Sequence, residues 1–309
     1  MKSVIIWIAA TAALQVLGQR QVKKQREWEF TSTCPPPEVL PHEIVVDGGD
    51  FHLAPEELHQ MLTKRFYYYH QLQPTLQKRF LKRLQRFMRR KIFIIKDEQG
   101  FREMPVLVSA AAIQLTFGLN NYLLPFYRYI RIFPEEFIRE GSFRILVGNV
   151  QHNVISVAWN HFLKGYEDPT NGSNVGLHEM SHALYIQKLV IEEGFANTFS
   201  DRYRRILEEC GTAAEVEKTG LRDLYSSYAE ADLQEFWAET VELFFERPAD
   251  LRQSYPNVYE SMKLLLNQEP LVKENPVLLS KLSLGEKADR IKELLLAKAG
   301  IAGRSATYE

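Results

Sequence analysis

The chain has 309 residues, 45% hydrophobic and 25% charged, with a formal net charge of −1. That composition excludes a wholly disordered chain, and the near-neutral balance excludes a nucleic-acid binder held by a global positive field. Two cysteines, Cys34 and Cys210, stand too far apart to write a disulfide framework or a Cys-rich zinc or redox site. Any metal must therefore be held by histidines and carboxylates.

Residues 3–18 are apolar except for Ser3, Thr11 and Gln15, with Lys2 before them and Arg20, Lys23, Lys24 and Arg26 just after. A helix of that length spans roughly 24 Å against a hydrocarbon core of about 30 Å. The flanking charges predict an uncleaved anchor at a bacterial inner membrane with the main body cytoplasmic. A signal peptide ending near Gly18 is the rival, opposed by the basic cluster beyond it; a terminal helix packed on a soluble cytoplasmic protein is the third option. Residues 1–19 are thus expected as anchor or signal. Residues 20–54, with Pro35-Pro36-Pro37 and Gly48-Gly49, read as a linker.

From Pro55 the pattern turns helical. Leu58, Met61 and Leu62 lead into the aromatic run at 66–69, and after Pro74 a second helix carries Leu76, Phe80, Leu84, Phe87 and Met88 at intervals of three or four. Its other face, with Lys78, Arg79, Lys82, Arg83, Arg86, Arg89 and Arg90, reads as a solvated basic stripe. Ile92 to Ile95 is a β-branched run, and 105–119 is a small-residue helix suited to a core. Residues 129–133 and 153–159 alternate as strands. Helices are predicted over 172–187 and 221–247, the second closed by Pro248, and a last one over 286–298. One domain over 55–270, followed by a polar tail over 271–309, is the expected division.

The informative stretch is His178-Glu179-Met180-Ser181-His182. Composition alone yields H-E-x-x-H about 0.02 times in such a chain. Spacing i, i+4 puts both imidazoles on one helix face, where they can grip one zinc ion, and Glu179 beside the first can reach water on the metal. A catalytic zinc wants a third protein ligand and an open position. Glu192 and Glu193 follow His182 closely, leaving little chain for a turn back. His152 and His161 flank a strand and would make a three-histidine site. The best donor is the helix with Glu235, Glu239, Glu242 and Glu246 on one face.

Glu235-Phe-Trp-Ala-Glu239, with Tyr228 seven residues before it, resembles the third-ligand helix of the Mlc titration factor A family of zinc metallopeptidases, related in catalytic domain to anthrax lethal factor. Phe87-Met-Arg-Arg-Lys-Ile-Phe93, Phe117-Gly118-Leu119, Ile132-Phe-Pro-Glu-Glu-Phe137, Val157-Ala-Trp159, Asn174-Val-Gly-Leu-His-Glu179 and Phe244-Phe-Glu-Arg-Pro248 fall in the family's order, so the likeness spans roughly residues 55–265. Ala183-Leu184-Tyr185 stands where family members commonly carry Lys-Leu-Asp. The resemblance implies an α+β, mostly helical, zincin-like domain with a small mixed sheet beside the HExxH helix. It implies His178, His182 and Glu235 as ligands of one Zn2+ per chain, Glu179 as general base and Tyr228 facing the metal.

The expected activity is hydrolysis of a peptide or protein substrate by metal-activated water. Tyr228 is expected to donate to the oxyanion, and the 153–159 strand either offers an edge to an extended substrate or is one more core strand. The alternative, implied by the family's namesake, is an interaction protein that sequesters a transcriptional regulator. An intact Glu179 favours chemistry, because a structural site has no need of a base.

Overall fold

The structure is a computed structural model that describes residues 34–97, 102–138, 143–191, 206, 224–226, 232–274 and 276–278. Residues 1–33 and the predicted helix over 286–298 lie outside them, and with them the expected anchor. Among the described residues no helix is long and apolar enough to cross a membrane.

A five-stranded mixed sheet runs in the order β1 (Ile44–Asp47), β2 (Ile92–Ile95), β3 (Tyr129–Phe133), β7 (Val154–Ala158), β6 (Gly148–Gln151). The β2, β3 and β7 strands are parallel, with Ile92 opposite Tyr129 and Ile130 opposite Ile155. The outer strands β1 and β6 are antiparallel to their neighbours. A separate two-stranded hairpin pairs β4 (Phe137–Ile138) with β5 (Ile145–Leu146). One sequence expectation changes here and one open alternative is decided. Residues 44–47 form an edge strand inside the stretch read as linker; four residues between a proline and a glycine pair carry too little period to be recognised. Of the two readings of the 153–159 strand, the core strand is the one found: it has neighbours on both sides, and among the described residues the sheet edge on that side is β6.

Helices α1 (Pro55–Arg65), α2 (Tyr67–Gln71) and α3 (Pro74–Met88) bury Leu58, Leu62, Tyr69, Leu76, Phe80, Leu84, Phe87 and Met88, while Met61 is half-buried and Tyr67 exposed. Helix α4 (Glu103–Thr116) is buried at every position from Met104 to Thr116, because Ala110, Ala111 and Ala112 let neighbours approach on all sides. It packs between α3 and α6 (Val175–Tyr185), and α6 in turn lies against β6 and β7. The basic face of α3 is not wholly solvated: Arg83 donates to the carbonyls of Thr116 (3.3 Å) and Phe117 (2.8 Å), satisfying the end of α4 where helix carbonyls lack partners. Helix α5 (Trp159–Glu167) precedes α6, and α7 (Leu233–Glu246), α8 (Pro248–Ser254) and α9 (Pro256–Leu266) complete the core.

Helix α7 starts later than the predicted 221, at Leu233, where the Asp232 side chain accepts from the Gln234 N–H. The preceding chain at 224–226 instead lies back along the helix, with the Tyr225 ring stacked on Phe236 at 4.0 Å and its hydroxyl 3.0 Å from Thr240 Oγ1. A continuous helix could not bring those rings together.

Candidate metal centre

Helix α6 begins at Asn174, whose side-chain oxygen accepts from the Leu177 N–H at 3.0 Å. Leu177, Met180, Ala183 and Leu184 go into the core, which turns His178 and His182 towards a cleft of about 1160 Å³. Across that cleft stands α7, locked to α6 by the fully buried Trp237, whose Nε1 donates to the Ser181 carbonyl at 3.2 Å. Beyond Tyr185 the helix loosens into a π-helical turn, Ile186–Ile191, and Ile186 also lines the cleft.

The two helices bring three potential ligands together. His178 Nε2 and His182 Nε2 are 3.2 Å apart, and each lies 3.3 Å from an oxygen of Glu235. Among the described residues this is the one group of three His, Cys, Asp or Glu side chains able to hold a metal ion, with all ligand atoms within 4.8 Å of one another. The electrostatics fit a cation. Burial would lower the pKa of His178, but the Glu235 and Glu242 carboxylates outweigh it and raise it well above the ordinary range. Hydrogen bonds from both histidines hold Glu235 well below the usual carboxylate range. Two imidazole nitrogens and a carboxylate are a donor set suited to zinc, and they crowd where one positive charge would sit.

The remaining acids of α7 have distinct positions. Glu242 is buried with an oxygen 3.0 Å from His178 Nδ1, on the side of the ring away from Glu235. Glu239 accepts from the backbone N–H (2.9 Å) and the hydroxyl of Ser226. Glu246 accepts from Asn174 Nδ2 and the Gly172 N–H, both at 2.9 Å, so it holds the cap of the helix that carries the histidines. The four-acid face was legible in sequence; that Glu242 supports His178 was not, although its spacing of seven from Glu235, two helical turns, is the signal that could have found it.

Glu179 is buried, and among the described residues its Oε2 has no hydrogen-bond partner. Burial pushes its pKa up to about 7, against the pull of the two histidines. Gly148, the first residue of β6, the edge strand among the described residues, closes over it: a Cβ at that position would meet Glu179 Oε1 below 3.0 Å. No sequence pattern announced that contact.

Of the other candidates, His161 pairs with Glu136, and His152 sits at the β6–β7 turn with φ 51°, so neither joins the cluster. Tyr228, Glu192 and Glu193 lie outside the described residues. Ser226, two positions before Tyr228, lines the cleft.

Residues 51–266 match the sequence profile of the family described as glucose-regulated metallo-peptidase M90. The chain belongs to that family. An uncharacterized protein of Synechocystis sp. is 22% identical over 243 residues, which cover 71% of this chain and 86% of that relative. The M90 match takes in every strand but β1 and reaches the end of α9, so both helices bearing the His/His/Glu cluster fall inside it. Membership in M90 makes this a metallopeptidase-like protein and implies a metal ion, for which the His/His/Glu group is a possible site.

Proposed function

We propose that the protein is a zinc-dependent peptidase in a zincin-like domain, with His178, His182 and Glu235 as ligands and Glu179 as general base. The observation that carries this reading is the placement of a buried carboxylate oxygen, without a hydrogen-bond partner among the described residues, beside the convergent His/His/Glu cluster, in one cleft. An ion held there supplies Lewis acidity, which polarises a peptide carbonyl and makes water nucleophilic near neutral pH.

The protein's own groups do the rest. Glu179 takes the proton of the attacking water and passes it to the leaving amine. Glu242 receives the Nδ1–H of His178, which leaves the Nε2 lone pair facing the cluster. Gly148 keeps the Glu179 carboxylate in place while bringing the β6 edge to it. An extended substrate adds to that edge as a further strand. Tyr228 is assigned the oxyanion donor role on the family resemblance alone.

The deciding experiment is metal analysis and peptide hydrolysis on wild type beside Glu179→Gln, which keeps the shape but cannot accept the proton. One zinc per chain in both proteins, with hydrolysis only in the wild type, is the expected result; wild-type turnover in the variant removes Glu179 from the chemistry. On location, the proposal is a cytoplasmic body held by residues 3–18. A soluble full-length product on fractionation would overturn it.

A further inference from the structure

The β4–β5 hairpin stands at the mouth of the cleft and presents apolar side chains to solvent. In its register Phe137 opposes Leu146 and Ile138 opposes Ile145, so the two pairs face opposite ways. The inner pair is anchored: Phe137 stacks on Phe133 at the end of β3, with centroids 3.9 Å apart and planes within 11°, and Leu146 is half-buried. The outer pair is not, with Ile138 65% and Ile145 72% exposed. Phe143, two residues before Ile145 and hence on its side of an extended chain, is fully exposed. Single exposed apolar residues are ordinary, but three on one small face are not.

This face is continuous with the catalytic cleft. Ile145 of this face lines it, with Leu146 of the inner pair beside it, and the chain runs from Leu146 through Val147, whose carbonyl accepts from the Ala158 N–H at 2.8 Å, directly into Gly148 against Glu179. A substrate strand laid antiparallel on β6, the commoner pairing, passes Val150 and Asn149 first and reaches Gly148 at the reacting position. Its continuation towards the C-terminus then meets the hairpin.

We propose that Ile138, Phe143 and Ile145 form a specificity site for a bulky apolar side chain on the C-terminal side of the cleaved bond. This rests on the peptidase reading, so binding and cleavage are measured separately. The probes are fluorescein-labelled decapeptides carrying Leu, Phe or Ser at successive positions. Anisotropy reads binding on the zinc-loaded Glu179→Gln protein; mass spectrometry reads cleavage by the wild type. Leu and Phe peptides should bind about 10-fold more tightly than Ser peptides, the scale of one apolar side chain. The Phe143→Ser/Ile145→Ser double variant should lose that preference, whereas Val45→Ser, an exposed apolar residue on the opposite edge strand, should keep it. Equal affinity for all peptides, or a preference that survives the double variant, overturns the proposal. A hairpin-dependent preference without any cleavage supports the site and removes the peptidase reading; cleavage without preference does the reverse.

Discussion

Glu242 Oε1 lies 3.0 Å from His178 Nδ1, while Glu235 Oε2 lies 3.3 Å from Nε2 of the same ring. One imidazole is thus held between two carboxylates of the same helix, Glu235 being the proposed ligand and Glu242 its proposed support. Losing such a support typically costs 10- to 100-fold in metal affinity. Glu242→Ala should weaken zinc binding by about that factor in a competitive chelator titration, and Glu242→Gln by less, since its amide oxygen can still accept. Unchanged affinity in both would show that the ring needs no partner.

Gly148→Ala puts a methyl group into the Glu179 carboxylate. The strand is hydrogen-bonded to β7, so the carboxylate is the part that yields. A misplacement of about 1 Å near the reacting atoms can cost about 10²-fold in rate. The variant should bind one zinc and fold like the wild type by circular dichroism while kcat falls by at least about 10-fold. Full activity would mean that Glu179 has room to move without consequence.

Removing the metal should loosen the pairing of α6 with α7. A ligand that binds only the native state adds about 2.7 kcal/mol at a free concentration a hundred times its Kd. Dialysis against a chelator should therefore lower the melting temperature, and zinc should restore it. His178→Ala should melt at one temperature with or without zinc; a zinc-dependent shift in that variant would place the metal elsewhere.

Burial raises Glu246 from an ordinary 4.5 to about 7. A carboxyl with a raised folded-state pKa penalises folding once the unfolded chain ionises, so its contribution falls as pH climbs from about 4.5 to about 7 and is constant outside that window. The full change is about 3 kcal/mol. In urea titrations Glu246→Gln should therefore compare more favourably with the wild type at pH 7.5 than at pH 4.5. A difference that does not move with pH would mean Glu246 titrates normally.

Lys91 is buried and donates to the carbonyls of Leu123 (2.9 Å), Leu124 (2.8 Å) and Tyr127, with its ammonium 4.5 Å from the centre of the Phe87 ring. Lys91→Met fills the space but removes the donor to the Leu123 and Tyr127 carbonyls, while Leu124 keeps the Tyr127 N–H at 3.1 Å. The expected loss is about 3 kcal/mol by chemical denaturation, the scale of a buried polar group left unpaired. A loss under about 0.5 kcal/mol would show that water replaces the ammonium.

Local chemistry decided what the sequence alone could determine. Two histidines at i, i+4 share a helix face wherever the helix goes, so His178 and His182 were readable as a pair, and the buried face of α3 followed from Leu76, Phe80, Leu84 and Phe87 by the same periodicity. From residue pattern alone the acids of α7 were readable as a face but not as roles, and only the family resemblance singled out Glu235; the parts of Glu239, Glu242 and Glu246 depended on α6, Ser226 and Asn174 being set against them. The edge strand β1 and the placement of Gly148 over Glu179 left no pattern, since a four-residue strand has little period and a glycine in contact with a carboxylate looks like any other glycine. Whether the 153–159 strand offered an edge depended on β6 folding back beside it, a pairing settled by contacts between segments and not within one. Proximity between distant residues comes from how the faces of helices and strands bury one another, and that is what tertiary structure alone decided here.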